Sequence, residues 1–253
     1  PSWALVGATL LGGTLAAGGA NAINCYVDRD IDELMARTRG RPLPAHRIPP
    51  GSALRYGVML TAAGFLWLAS TVNLLAATLT GAAAVFYVFV YTVLMKRTTP
   101  QNIVIGGAAG AVPALVGWAA VTGRVDPPAL VLFAIVFAWT PPHFWALSLR
   151  YTRDYEAARV PMLPVVRGQR ETTRQILLYS VLVVAVSLVL FPVARLGILY
   201  LAAAAGLGGL LVGHAVRVLR TAGTRAAMAL FHYSITYLAL LFGAAAADRI
   251  LIG

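Results

Sequence analysis

Charge is what this 253-residue sequence has least of. Only 11% of its residues are charged and nine are acidic, while 59% are hydrophobic. A typical soluble domain carries about 25% charged residues. Mean hydropathy is +0.77. A chain this poor in charge is not disordered, and a soluble fold could not cover so much apolar surface. The class that remains is a polytopic membrane protein. Cysteine is nearly missing as well: Cys25 stands alone, which excludes an intrachain disulfide framework. Lys96 is the one lysine among twenty basic residues, a scarcity read as coding bias. No basic n-region or small-residue cleavage site precedes the first apolar stretch, so no signal peptide is read. Pro1 opens almost directly into that stretch, and the true N-terminus is expected to lie upstream.

The apolar stretches divide into eight spans of roughly 20 residues, the length a membrane helix needs. They run Trp3–Val27, Ala53–Val72, Leu75–Met95, Ile103–Val121, Pro128–Leu149, Ile176–Val193, Gly197–Val216 and Ala226–Ala247. Net charge is +11. In a soluble protein that excess would suggest nucleic acid; here it is read by position, and no nucleic-acid partner is expected. Seventeen of the twenty basic residues fall in four breaks: Arg29–Arg55, Lys96–Asn102, Arg150–Arg174 and Arg217–Arg225. If each span crosses once, these breaks share one side. The positive-inside rule makes that side cytoplasmic, facing anionic membrane lipid. Two of the breaks are alike. Asp28 and Asp32 lead into a basic loop with Pro42-Leu-Pro44, and Asp154 leads into one with Pro161-Met-Leu-Pro164. Such parallel halves occur in transporters and some membrane enzymes.

Four constellations carry possible chemistry. Asn24, Asp28 and Asp32 are spaced i, i+4, i+8, so a helix would align one amide and two carboxylates on one face. Carboxylates at a membrane edge are costly unless wet, paired or metal-bound. Mg²⁺ suits them, since it prefers oxygen ligands and shares its shell with substrate phosphates. The plainer reading is a solvated helix end answered by Arg29, Arg37 and Arg39. Arg150-Tyr-Thr-Arg153-Asp154-Tyr155-Glu156 offers Asp154 as a third metal ligand, with Glu156 turned elsewhere; its plainer reading is a charged loop with local Arg–Asp pairs. Lys96-Arg97-Thr-Thr-Pro-Gln-Asn102 offers two cations for phosphate oxygens, or merely a positive-inside anchor. Together these three suit an amphiphile with a diphosphate head and a hydrocarbon tail. Trp139-Thr-Pro-Pro-His143-Phe-Trp145 places a histidine inside a span that its proline pair should kink. That histidine could ligate haem iron, shuttle protons or be a hydrogen-bonded core residue. His232 is a weaker candidate of the same kind.

At these residues the chain resembles the UbiA superfamily of intramembrane prenyltransferases. Asn24-x3-Asp28-x3-Asp32 matches the superfamily's first Asp-rich motif. Four segments are similar to the branch that farnesylates protohaem: Asn24 through Pro44, Lys96 through Gly106, Pro141 through Leu147, and Asp154-Tyr155 with Val160 through Val166. The resemblance implies an all-α bundle of transmembrane helices forming a single domain over residues 1–253. The family has nine helices, so its first is expected to be absent here. It also implies an active site facing the cytoplasm, in a bacterial cell membrane. Asn24, Asp28, Asp32 and Asp154 would be catalytic, with Mg²⁺ on Asp28, Asp32 and Asp154. Arg37, Arg41, Lys96 and Arg97 would bind diphosphate, and His143 haem. The substrates implied are farnesyl diphosphate and haem B, the product haem O, and a haem A synthase a pathway partner. The sequence departs from many superfamily members in its second motif, where Asp154-x3 reaches Ala158. Competing expectations are a prenyltransferase for a quinone-precursor aromatic ring, a transporter, and an assembly protein of a membrane complex.

Overall fold

A lipid-exposed segment must satisfy its own backbone hydrogen bonds, which leaves helices as the natural form for long apolar runs. The computed structural model describes residues 1–252. Among them there are helices and no strand. The elements are α1 (Trp3–Val27), α2 (Arg29–Leu34), α3 (Pro50–Thr71), α4 (Leu74–Val85), a π-helical continuation of α4 (Phe86–Met95), and α5 (Asn102–Thr122). They continue with α6 (Pro127–Arg150), α7 (Thr152–Ala157), α8 (Leu163–Val166), α9 (Gly168–Val193), α10 (Ile198–Thr221) and α11 (Thr224–Ile252).

Among the described residues eight helices are long and apolar enough to cross a membrane, and they are the eight spans expected. Large side chains such as Met59, Leu66, Phe89 and Leu182 stand exposed along them, as lipid contact requires. The molecule is an integral membrane protein. Some boundaries and one winding differ from expectation. Helix α9 begins at Gly168, ahead of Ile176, and α10 runs on to Thr221, past Val216. Both extensions carry arginines that hydropathy assigns to loops although the helix continues through them. The last turns of the third span are π-helical, which hydropathy does not register.

The chain forms two compact units. The first is Pro1–Val125 with Arg153–Pro161; the second is Asp126–Thr152 with the chain from Met162 onward. In the first unit α1 and α3 touch backbone to backbone. A Cβ on Gly64 would lie 2.6 Å from Ala16 N and 2.7 Å from Gly12 O, and one on Gly19 would lie 2.6 Å from Gly57 O. Lipid supplies no hydrophobic drive between helices, so such close van der Waals packing holds them together. The Trp67 indole adds a 2.9 Å hydrogen bond to Ala8 O. Asn73 caps α4 through its Oδ1, which accepts from Ala76 N at 2.8 Å, and donates Nδ2 to Ala119 O of α5.

In the second unit α6 continues unbroken through Pro141 and Pro142. The proline nitrogens cannot donate to Phe137 O and Ala138 O, and the helix runs on without those two bonds. Helices α9 and α11 are joined by Ser187 and Tyr237, whose hydroxyls lie 2.8 Å apart. Tyr200 of α10 donates to Ser187 O at 2.8 Å. Buried Asp248 of α11 accepts from the backbone nitrogens of Gly197 and Tyr200, and so caps α10 from another helix.

Gly64→Val is expected to remove most folded protein, since overpacking typically costs about 1–3 kcal/mol and here the obstacle is backbone. Gly13→Val, on the partner helix α1 but with nothing within 4 Å of its Cβ position, should keep wild-type thermal stability in detergent. Equal stability of the two variants would refute the close-approach account.

Candidate active site

The polar residues of the first unit gather where α1 ends. Helix α1 ends and α2 begins at Asp28, and two i to i−4 bonds bridge the junction. Asp28 N donates to Asn24 O at 2.9 Å, and Asp32 N to Asp28 O at 2.8 Å. The i, i+4, i+8 face expected from the sequence is therefore present. All three side chains are buried, Asp28 completely. Asn24 donates Nδ2 to Asp28 Oδ2 at 2.7 Å and to Thr92 Oγ1 at 3.1 Å.

A fully buried carboxylate needs a cation, and the third span supplies it. Lys96 Nζ bonds to Asp28 Oδ2. Arg97 reaches Asp28 Oδ1 at 3.4 Å while its fork closes on both oxygens of Asp30, at 2.6 and 2.7 Å. The π winding helps to place these groups. Lys96 N bonds back to Tyr91 O and Thr92 Oγ1 to Tyr87 O, both i to i−5. Buried Asn102 opens α5 and donates Nδ2 to Thr99 O and Lys96 O, which holds the loop under the lysine; among the described residues its Oδ1 has no partner.

Asp32 is met by Arg41, whose Nη1 lies 2.8 Å from Oδ2. The loop that carries Arg41 is anchored by buried Met35 and Leu43, and by Thr38 Oγ1 donating to Asp32 O at 2.9 Å. The second acidic segment folds with this unit. Asp154 Oδ2 accepts from Arg37 N at 3.4 Å, and Arg37 Nη2 lies 3.4 Å from the Tyr155 hydroxyl. Glu156, two residues on, is exposed.

Arg29, one of the arginines first expected to answer the acids, does not. Arg29 turns to Tyr26, with its guanidinium 4.6 Å from the ring centroid, while Lys96, Arg97 and Arg41 take the carboxylates. Thr92, Asp30 and Tyr155 belong to the network and were not picked out from the sequence. An i, i+4 count along one helix cannot reveal partners from another.

The donors that could hold a metal are all oxygen: Asn24, Asp28, Asp32 and Asp154. Among the described residues no three His, Cys, Asp or Glu side chains converge as ligands. That donor set fits Mg²⁺, which takes one or two carboxylates and fills its shell with water and phosphate. It does not fit a cage built wholly of protein. The outer pair behaves differently from the buried one. Arg97's hydrogen bonds hold the Asp30 carboxyl below the usual carboxylate range. The stability this contributes is present above the unfolded-state value and fades as pH falls through the lowered one. Because Asp30 is largely exposed, the contribution is small and screened by salt.

In the second unit His143 of α6 lies 2.8 Å, through Nδ1, from Ser234 Oγ of α11. Its ring stacks on Trp139 at 4.3 Å and on Phe231 at 4.4 Å, with Phe144 edge-on. His232 neighbours this group, edge-on to Phe231.

The profile of the UbiA prenyltransferase family matches residues 1–243. A protoheme IX farnesyltransferase of Parafrankia sp. (strain EAN1pec) is 55% identical over 254 residues, covering 99% of this chain and 81% of that protein. One from Gloeobacter violaceus is 54% identical over 245 residues, 96% of this chain and 80% of that one. Among solved structures, a digeranylgeranylglyceryl phosphate synthase superposes with a TM-score of 0.76 at 18% identity, over 98% of this chain and 93% of that one. A UbiA homolog from Archaeoglobus fulgidus bound to GPP and Mg²⁺ superposes with a TM-score of 0.65 at 15% identity, over 97% and 89%. At these identities the two structures speak for the fold.

Lys96→Met should destabilise the protein by about 3–5 kcal/mol, the usual result of stranding one buried charge. Adding Asp28→Asn should restore much of the loss. Strictly additive denaturation energies in the double-mutant cycle would show that the pair is not coupled.

Proposed function

The chain belongs to the UbiA prenyltransferase family, and we propose that it transfers the farnesyl group of farnesyl diphosphate to a vinyl group of haem B, giving haem O and diphosphate. The observation that carries the site assignment is Asp28, a carboxylate with no solvent exposure held among Lys96, Arg97 and Asn24. The substrate assignment rests on relatives above 50% identity over nearly the whole chain, each a protoheme IX farnesyltransferase.

The diphosphate head binds at Asp28, Asp32 and Asp154, with Lys96, Arg97, Arg41 and Arg37 beside it. Three carboxylates (Asp28, Asp30, Asp32) here face three cations (Lys96, Arg97, Arg41), so their formal charges cancel, while Asp154 accepts from the backbone N–H of Arg37. A diphosphate entering that neutral cluster brings negative charge that the protein alone leaves uncompensated. Mg²⁺ held among Asp28, Asp32 and Asp154, by one or two of these carboxylates for each ion, would supply the missing positive charge and stabilise the departing diphosphate. The A. fulgidus homolog, bound to GPP and Mg²⁺, supports this reading. The cations act as the allylic C–O bond breaks and its electron pair passes to the diphosphate, stabilising charge that grows in the transition state. Asn24 orients Asp28 through its 2.7 Å hydrogen bond. Apolar helices exclude water from the farnesyl cation. The terminal carbon of the haem 2-vinyl group bonds to farnesyl C1, and water adds to the resulting cation and loses a proton. His143 holds or orients the haem. The active site faces the cytoplasm of a bacterial cell membrane, and a haem A synthase would consume the product.

The test uses membranes containing the protein, haem B, farnesyl diphosphate and Mg²⁺, with extracted haems identified by mass. Haem O should form, and should be lost with EDTA and in Asp28→Asn protein that elutes as folded. Normal turnover by Asp28→Asn would refute the site. Prenylation of an aromatic acid without haem O would move the substrate to the quinone-precursor class.

A further inference from the structure

We infer that Ser234 is a positioning residue: it fixes His143 in one tautomer, so that the Nε2 lone pair is left to ligate the iron of the haem substrate. The inference rests on the proposed reading of haem as substrate. It follows from counting protons. The Ser234 hydroxyl has one, and it donates that proton to Phe231 O at 2.7 Å. The 2.8 Å contact between Ser234 Oγ and His143 Nδ1 must then run the other way, with Nδ1–H donating. A neutral imidazole carries a single N–H. With that proton on Nδ1, Nε2 holds a lone pair. The Phe231 carbonyl, bonded to the same hydroxyl, lies on this Nδ1 side as the ring's other polar neighbour, and among the described residues no hydrogen bond is made by Nε2.

The surroundings fix the ring as well as the proton. Trp139 and Phe231 both stack on the imidazole, nearly parallel to it at interplanar angles of 18° and 22°. Rotation about χ2 would drive the ring edges into both neighbours. The Trp139 indole donates to Ser234 O at 2.7 Å, which ties the stacked ring to the same residue that accepts from Nδ1. A histidine that ligates a metal nearly always donates its other N–H to a fixed acceptor, and this arrangement has that form. A core histidine kept only for packing would need neither the tautomer nor the unpartnered nitrogen.

The test has two readouts. In protein labelled with ¹⁵N-histidine, the His143 signals are assigned by their loss in His143→Gln. Wild type should show the Nδ1–H tautomer, Ser234→Ala a mixture containing Nε2–H, and Ser234→Thr the wild-type pattern. Haem B is then titrated and followed by its Soret band. Ser234→Ala should bind at least tenfold more weakly, the usual cost of losing a ligand's outer partner, while Ser234→Thr stays near wild type. An unchanged tautomer in Ser234→Ala overturns the positioning role. Unchanged haem affinity in both Ser234→Ala and His143→Gln overturns the ligand role, even when wild-type membranes make haem O and the proposed function stands. Folded wild type that makes no haem O overturns both.

Discussion

A carboxylate shut away from water at the end of an apolar helix is the constraint on which the rest of the first unit turns. Asp28 survives as a charge because Lys96, Arg97 and Asn24 surround it. Those partners sit nearly seventy residues further along the chain or one turn back, so their arrival depends on how two spans are placed. The glycine contact between α1 and α3 sets the position of the first. The π-helical stretch sets the phase of the second. Each π turn holds about one residue more than an α turn. Over Phe86–Met95 the helix face therefore falls behind an α continuation by about two residues. That phase accompanies Thr92 against Asn24 and Lys96 against Asp28. A rare backbone form thus stands where polar residues must meet in a molecule otherwise built of apolar rods.

Hydropathy and helical spacing made much of this visible beforehand. The eight spans follow from apolar run length alone, because lipid leaves a long apolar segment little choice but a helix. The Asn24–Asp28–Asp32 face follows from residue spacing, and the two i to i−4 bonds that meet at Asp28 preserve that spacing across the break between α1 and α2. What stayed hidden is long-range or geometric. Nothing in Phe-Tyr-Val-Phe-Val-Tyr-Thr-Val-Leu-Met, residues 86–95, separates π from α winding, since both bury such residues equally well. The pairing of Arg41 with Asp32, and of Arg97 with Asp30, depends on loops whose course the sequence leaves open. Asp248 lies just past the last expected span and was not singled out there; its work as a cap for α10 emerges only when two helices are set together.

The two units handle polarity in opposite ways. In the first, charge is gathered and cancelled pair by pair, which keeps a cluster of formal ions tolerable at a membrane edge. In the second, His143 is held by stacked aromatic rings and one hydroxyl, with no formal charge beside it. These are the environments that a diphosphate and a flat macrocycle call for separately. One needs countercharge, the other an oriented electron pair beside apolar surface.

The lone lysine bears on the same point. Nineteen of the twenty basic residues are arginine, so the bias of this sequence runs strongly against lysine, and the exception stands at position 96. Its neighbour shows what a guanidinium does in this setting: Arg97 uses its planar fork on both oxygens of Asp30, an exposed carboxylate with room on each side. Asp28 offers no such room. It is fully buried, and its Oδ2 already accepts from Asn24. An ammonium is compact, turns freely about its last bond and can share one oxygen with the amide, whereas a guanidinium needs a coplanar approach. Coding bias explains why lysine is rare in this chain; the geometry around Asp28 explains why one remains.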